Sequence, residues 1–137
     1  MTDGEKVWTA LTPSEPYMGY LGITHGGILA TLLDETMGWA PAVHTGLFCM
    51  AVELNIEYRK SAPIGSEITV TGWTTDVSRR IWEGRGEVRG ADGVLYARGR
   101  GRFMPLSVAA TDEVMDMLVF DDGTLPRERI VAARNRG

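Results

Sequence analysis

The feature that most constrains this chain is a change of hydrophobic period close to residue 41. From Ile28 to about Ala40, apolar residues recur at spacings of three and four, which is typical of a helix with one buried face. Beyond it, apolar and polar residues alternate in several segments up to about Met104, which is typical of strands with one covered face. The pattern predicts an α+β fold in which an antiparallel sheet wraps around one central helix.

The predicted strands are separated by turn signals, of which the run Gly90–Gly93 is the strongest. A short helix capped by Thr111 and another over 126–134, with Pro126 in its first turn, are predicted for the tail. We expect one domain over 1–137, with its core at about 7–106 and a tail at 107–137. The predicted strands are 7–12, 51–58, a segment from Ile68, 81–89 and 94–104.

Four glycines fall on the apolar faces of the last two predicted strands: Gly84, Gly86, Gly99 and Gly101. Glycine inside a strand contributes no packing, so it often marks close approach by another element. The helix over 28–40 is the strongest candidate for that element, which predicts a glycine groove that receives it. The alternative is that these glycines mark bulges or bends of the sheet.

Composition narrows the range of partners. The net charge of −4 and a pI near 5.2 provide no overall positive field for nucleic acid or an anionic membrane. Cys49 is the only cysteine, which excludes an internal disulfide and a cysteine-based metal cluster. The charged N-terminal residues and the lack of a long apolar run predict a cytoplasmic protein without a membrane span.

The start of the predicted helix carries a candidate oxyanion hole. A helix N-terminus leaves backbone N–H groups unpaired and has a partial positive charge. Gly26 and Gly27 have no side chains there, so a carbonyl oxygen could reach their N–H groups. In acyl transfer, such a donor is worth about 3–4 kcal/mol.

Asp34 is the candidate catalytic carboxylate. It lies within the apolar helix, and Ala30, Thr31 and Gly38, all small, lie one turn away, which leaves room for a substrate or a water. Glu35 is turned about 100° around the helix, so the two acids cannot share a face. The alternative is that Asp34 is a structural acid that accepts hydrogen bonds or a salt bridge.

The spacing of these residues predicts an oligomer. Gly26 and Asp34 are separated by about 12 Å along a helix, too far for one thioester carbonyl to contact both. Two helices side by side in a twofold dimer could place the glycine end of one near the acid of the other. The site would then be composite and occur twice in each dimer.

The stretch from Gly19 to Glu35, with His25-Gly26-Gly27 and Asp34, resembles the motif of PaaI-like hotdog thioesterases of the 4HBT superfamily. The segment Leu54–Lys60 followed by Pro63-Ile-Gly65 is similar to that family's strand and turn. The resemblance covers about residues 7–106. It implies a hotdog fold, an active site at a dimer interface, often a dimer of dimers, and hydrolysis of acyl-CoA without a further cofactor.

By the same resemblance, Asp34 matches the general base or nucleophile, Gly26 the residue whose N–H polarises the thioester, and His25 the motif histidine. Two positions depart from the pattern. Many relatives have Asn where this chain has Gly19, and some have Ser or Thr near the start of the following strand, where this chain reads Met50-Ala51-Val52. The form with Gly19 and Gly22 resembles the THEM-like branch, which also lacks the Asn.

The phosphates of CoA require cations near the mouth of the site. Arg59 and Lys60 follow one strand and Arg79 and Arg80 lie at a turn, and the resemblance implies that the Arg59 and Arg80 regions border the nucleotide. Ordinary solvated surface is the alternative for these four residues. For His25, the alternative to a chemical role is capping of the helix.

Three functions remain open from the sequence. Thioester hydrolysis is the leading hypothesis, followed by a hotdog dehydratase or hydratase and by a non-catalytic acyl-CoA binding protein. His25 and His44 are the only histidines and no acids have ligand spacing beside them, so no metal is predicted.

Overall fold

The computed structural model describes residues 6–20, 22–118 and 127–135. In chain order the elements are β1 (Lys6–Leu11), a short 3-10 turn (Glu15–Tyr17), α1 (Gly26–Thr45), β2 (Cys49–Tyr58), β3 (Ile68–Asp76), β4 (Trp82–Gly90), β5 (Leu95–Pro105), α2 (Val108–Met117) and α3 (Arg127–Arg134).

The five strands form one antiparallel sheet in the order β1-β3-β4-β5-β2, with α1 on one face. Leu33 and Met37 of α1 are fully buried in a cluster with Val70 and Val88 of the sheet. Burial of such apolar side chains contributes about 1.5–3 kcal/mol each. A sheet wrapped around one long helix is the hotdog architecture, so the predicted fold class is confirmed.

The predicted glycine groove is present and is wider than expected. A Cβ at Gly86 would lie 2.9 Å from the Leu33 side chain, and one at Gly72 of β3 would lie 2.7 Å from the Thr36 backbone. The helix therefore contacts the sheet where side chains are missing. Gly101 differs, because Phe103 occupies its space at 2.7 Å.

Helix α1 is longer than its periodicity predicted. It begins at Gly26, continues past Pro41 to Thr45, and ends at Gly46, which has φ +78°. The prediction that Pro41 lies beyond the helix end is wrong. Pro41 is buried together with Ala42 and Val43, and this burial offsets the roughly 3 kcal/mol that an internal proline costs.

The two C-terminal helices cover the end of α1 and the start of β2. Arg134 of α3 donates to the Gly46 carbonyl at 3.3 Å, and Phe48 N–H donates to the buried Thr111 hydroxyl at 3.1 Å. Ser107 caps α2 by accepting from Ala110 N–H at 3.1 Å. The predicted Thr111 cap is therefore wrong, because that hydroxyl bonds to a distant strand. Pro126 lies outside the described residues.

Candidate active site

The first turn of α1 has one backbone N–H that is left over. His25 is the N-cap, and its Nδ1 accepts Gly27 N–H at 2.8 Å. The N–H groups of Ile28 and Leu29 donate to the His25 carbonyl at 3.0 and 3.4 Å. Among the described residues, Gly26 N–H has no acceptor. Of the two glycine donors in the predicted oxyanion hole, only Gly26 is available.

Tyr58, at the end of β2, holds the outer side of this turn. Its hydroxyl donates to the Gly26 carbonyl at 2.8 Å, and a Cβ on Gly26 would lie 3.2 Å from its ring. The side chain nevertheless remains 53% exposed. Tyr58 is thus a site residue that the sequence reasoning missed, since only the fold brings it to Gly26.

A depression of about 390 Å³ opens beside this turn. The predicted residues Gly26, His25, Arg59 and Lys60 line it together with Tyr58. Arg59 also forms an ion pair with Glu57 at 2.6 Å, so part of its charge is already compensated. The structure therefore brings the predicted cations at 59 and 60 to the glycine end of α1.

Asp34 lies two turns further along α1 and is half-buried. Burial raises the pKa of its carboxyl group above the ordinary value of 3.8. Its carboxylate has no hydrogen bond or ion pair within the described ranges. The alternative reading of Asp34 as a structural ion-pair acid therefore finds no partner in the described part of the protomer.

Cys49, the first residue of β2, lies close to Asp34. Its thiol donates to the Gly38 carbonyl at 3.7 Å, one turn beyond Asp34. Burial, with a smaller contribution from the Asp34 charge, raises the pKa of this thiol to about 12. The chain's only cysteine is thus protonated at neutral pH beside the candidate carboxylate, a contact that no local sequence signal gives.

The remaining predicted cations lie elsewhere. Arg79 and Arg80 are exposed in the β3–β4 turn, and Arg79 Nε is 3.8 Å from Asp76. They are not among the residues that line the depression at Gly26. Within one protomer, the structure groups Arg59 and Lys60 with Gly26 but leaves Arg79 and Arg80 apart.

Strand β2 ends the sheet and carries an uncovered apolar surface. The alternation over 51–58 predicted a half-buried strand, yet most of its apolar side chains are largely exposed because α1 lies over the centre of the sheet. Met50 is 57% exposed, Val52 51%, Leu54 38% and Tyr58 53%. The outer edge of this ten-residue strand has no strand partner in the described chain.

Two classes of feature were searched for in the described ranges. No three His, Cys, Asp or Glu side chains come together there as a metal site. No described helix is both long and apolar enough to cross a membrane.

Comparison with known proteins gives related sequences for this arrangement. The chain is 30% identical over 104 residues to acyl-coenzyme A thioesterase THEM4 of Bos taurus, a match that covers 74% of this chain and 42% of that protein. It is 35% identical over 68 residues to acyl-coenzyme A thioesterase 13 of Mus musculus, which covers 49% of each. The chain thus spans less than half the length of either relative.

A solved structure matches the fold over most of both chains. Zebrafish thioesterase superfamily member 2 superposes with a TM-score of 0.68 at 27% identity, covering 75% of this chain and 75% of that one. The family model described as the thioesterase superfamily matches residues 21–97, more than half of the sequence and the stretch that holds Gly26, Asp34 and Arg59. The chain belongs to the thioesterase superfamily.

Proposed function

We propose that this protein is an acyl-CoA thioesterase whose active site is completed by a second copy of the chain. The observation that carries the proposal is the pairing of two unsatisfied groups on one helix. Gly26 offers a free N–H and Asp34 offers a desolvated carboxylate without a partner. The acyl-coenzyme A thioesterases to which the chain is similar make an acyl-CoA thioester the substrate class.

The exposed edge of β2 supports the dimer. A long, apolar, unpaired edge strand is a ready template for another strand. Antiparallel pairing of two β2 strands about a twofold axis would join two sheets and cover Val52 and Leu54, both about half exposed in the single protomer. A charged residue on this edge would oppose that pairing.

The same pairing would assemble the site. In one protomer, Gly26 contacts Tyr58 at the far end of β2, whereas Asp34 lies near Cys49 at the beginning of β2. Antiparallel strands related by a twofold axis place the beginning of one beside the end of the other. Asp34 of one protomer would therefore face the Gly26 N–H of its partner, which resolves the separation of about 12 Å within one helix.

In this site Asp34 acts as a general base. It takes a proton from water as the water oxygen attacks the thioester carbon, and the Gly26 N–H of the partner stabilises the oxyanion. Collapse of the tetrahedral intermediate breaks the C–S bond, and the CoA sulfur takes the proton back from Asp34. Arg59 and Lys60 border the depression at Gly26, where they would attract the phosphates of CoA.

The first experiment measures thiol release from acetyl-, hexanoyl-, decanoyl-, palmitoyl- and benzoyl-CoA by the purified protein. Asp34→Asn should abolish turnover. Gly26→Pro removes the single free N–H at the first helical position, where proline is tolerated, and should lower kcat by about 10²–10³-fold. Gly26→Ala is the matched control, because it adds the same Cβ but keeps the N–H.

Complementation tests the composite site directly. Neither Asp34→Asn nor Gly26→Pro should be active alone, but each mixed dimer would retain one site with both wild-type groups. Random mixing of equal amounts should restore about a quarter of the wild-type activity. No recovery in a mixture shown to contain mixed dimers would place Asp34 and Gly26 in a site within one protomer and contradict the proposal.

A second function, binding of acyl-CoA without turnover, has one observation in its favour. The segment Met50-Ala51-Val52 has no hydroxyl to hold a water near Asp34. Calorimetry with the same CoA esters decides between the two functions. Tight binding without release of thiol over the whole panel would support the binding protein.

A further inference from the structure

Gly38 stands apart from the other glycines of the described chain. Most have a neighbour so close that a Cβ would force a shift, and three others have positive φ angles of +75°, +87° and +85°. Gly38 has neither feature, since it lies inside α1 and an added Cβ would meet nothing within 4 Å. The three positive-φ glycines without such a neighbour are Gly22, Gly65 and Gly93.

A glycine inside a helix is unfavourable unless something needs its space. Glycine is among the poorest helix formers, and alanine at the same position would favour the helix. At Gly72 and Gly86 the missing side chain is explained by α1 itself, which fills the space. At Gly38 no described group of the protomer fills it, so the occupant is outside the protomer.

The position of this space relates it to the reaction. Gly38 follows Asp34 by one helical turn, so both lie on the same side of α1. The Cys49 thiol donates to the Gly38 carbonyl at 3.7 Å, which places the start of β2 beside the same turn. Beyond Cys49, the chain enters the core at Phe48, which is 8% exposed and packs edge-on against Trp39 with ring centroids 5.2 Å apart.

The surroundings favour an apolar occupant. The Cys49 thiol is already engaged with the Gly38 carbonyl, and Trp39 and Phe48 are aromatic. The pantetheine arm of CoA carries amides that would need polar partners, whereas an acyl chain does not. From these observations, and resting on the proposed thioesterase function, we propose that Gly38 provides the space for the acyl group beside Asp34 and limits its length and bulk.

The test substitutes Gly38 with alanine and with leucine and measures kcat/KM on acetyl-, hexanoyl-, decanoyl-, palmitoyl- and benzoyl-CoA. Gly38→Leu should lower kcat/KM by about 10-fold or more for the longest or bulkiest acyl groups that the wild type accepts. Acetyl-CoA should be affected little. Glu35→Leu places the same side chain on an exposed position of the same helix and should leave the profile unchanged. Gly38→Ala should raise the melting temperature.

Each contrary result has a defined meaning. An equal loss for every acyl group would assign the space to the CoA arm and overturn the proposal. A smaller oligomer for Gly38→Leu by light scattering would assign it to the second protomer and overturn it as well. A lower melting temperature for Gly38→Ala would show that the backbone near Pro41 requires glycine, which also overturns it.

The failure of this inference is distinguishable from that of the proposed function. If the wild type hydrolyses acyl-CoA but Gly38→Leu keeps the same acyl profile, only the role of Gly38 is overturned. If the wild type hydrolyses none of the five esters, the thioesterase function and the role of Gly38 are both overturned.

Discussion

The Nδ1 atom of His25 accepts the backbone N–H of Gly27 at 2.8 Å, and this bond divides the donors at the start of α1. Gly27 is committed to the cap, while Gly26 N–H remains without an acceptor in the described chain. An unprotonated Nδ1 also requires that the hydrogen of a neutral imidazole be on Nε2. The histidine therefore acts on the backbone that presents Gly26, which suits a positioning residue better than a proton carrier.

Substitutions of His25 should separate capping from chemistry. His25→Ala should lower the free energy of unfolding by about 1 kcal/mol, since the Gly27 N–H loses its acceptor. His25→Ser restores a capping oxygen, so it should recover most of that stability and keep kcat close to the wild-type value. Urea unfolding and thiol-release kinetics measure the two effects. A stable His25→Ser protein with greatly reduced kcat would show that the imidazole takes part in the reaction.

Asp34→Asn should stabilise the protein in a pH-dependent way. Burial raises the pKa of the folded carboxyl above 3.8, so between the unfolded and folded pKa values the native state binds more protons than the unfolded state. The free energy of unfolding of the wild type should therefore fall as pH rises through this window, relative to Asp34→Asn. Above the folded pKa the difference should stay constant. Urea titrations from pH 3.5 to about 7 measure it.

Equal pH dependence of the two proteins would show that Asp34 is not desolvated in the folded state. Glu35→Gln is a suitable control, because Glu35 is the exposed neighbouring acid on the same helix. It tests whether the effect belongs to the half-buried position.

Thr111→Val should destabilise the fold. The Thr111 hydroxyl is fully buried and accepts Phe48 N–H at 3.1 Å, and valine would leave that buried donor without a partner. The expected loss in the free energy of unfolding is about 1–3 kcal/mol. Thr111→Ser keeps the hydroxyl and is the matched control. A wild-type free energy of unfolding for Thr111→Val would mean that this bond contributes nothing.

Thr24→Val should have the opposite sign. Thr24 is 3% exposed, and its hydroxyl is buried without a hydrogen-bond partner among the described residues. Replacing an unsatisfied buried hydroxyl with a methyl group of similar shape should raise the free energy of unfolding by about 1 kcal/mol. Destabilisation instead would identify a partner, such as an ordered water, that this hydroxyl requires.

Periodicity was sufficient for the main elements but not for their limits. The change from a period of 3.6 to a period of two located α1 and the strands, because one covered face leaves a regular pattern. The α1 boundary at Pro41 was wrong because burial under α3 overrides the local cost of proline. The Thr111 cap was wrong because its hydroxyl bonds to Phe48, which lies 63 residues earlier in the chain.

The candidate site shows the same division between local and long-range information. Gly26, His25 and Asp34 could be named from the sequence because they lie on one helix with recognisable end chemistry. Tyr58 reaches Gly26 across 32 residues, and Cys49 reaches Gly38 across 11, so only the folded sheet places them there. The exposure of the β2 apolar side was also hidden, since alternation does not tell which molecule covers it.

Cys49 should be a slow nucleophile despite its position beside the site. Burial and the Asp34 charge raise the pKa of its thiol to about 12, and the thiolate is the reactive form. At pH 8 the native protein should react with a disulfide reagent far more slowly than the urea-unfolded protein does. Asp34→Asn should increase the native rate only modestly, because burial is the larger cause of the raised pKa.

This chemistry also separates the roles of the two neighbouring residues. Cys49→Ala should keep thioesterase turnover, because a protonated thiol cannot attack the substrate, whereas Asp34→Asn should lose it. Loss of turnover in a well-folded Cys49→Ala protein, together with fast labelling of native Cys49, would make the thiol the nucleophile. Retained turnover together with slow labelling would leave Asp34 as the group that activates water.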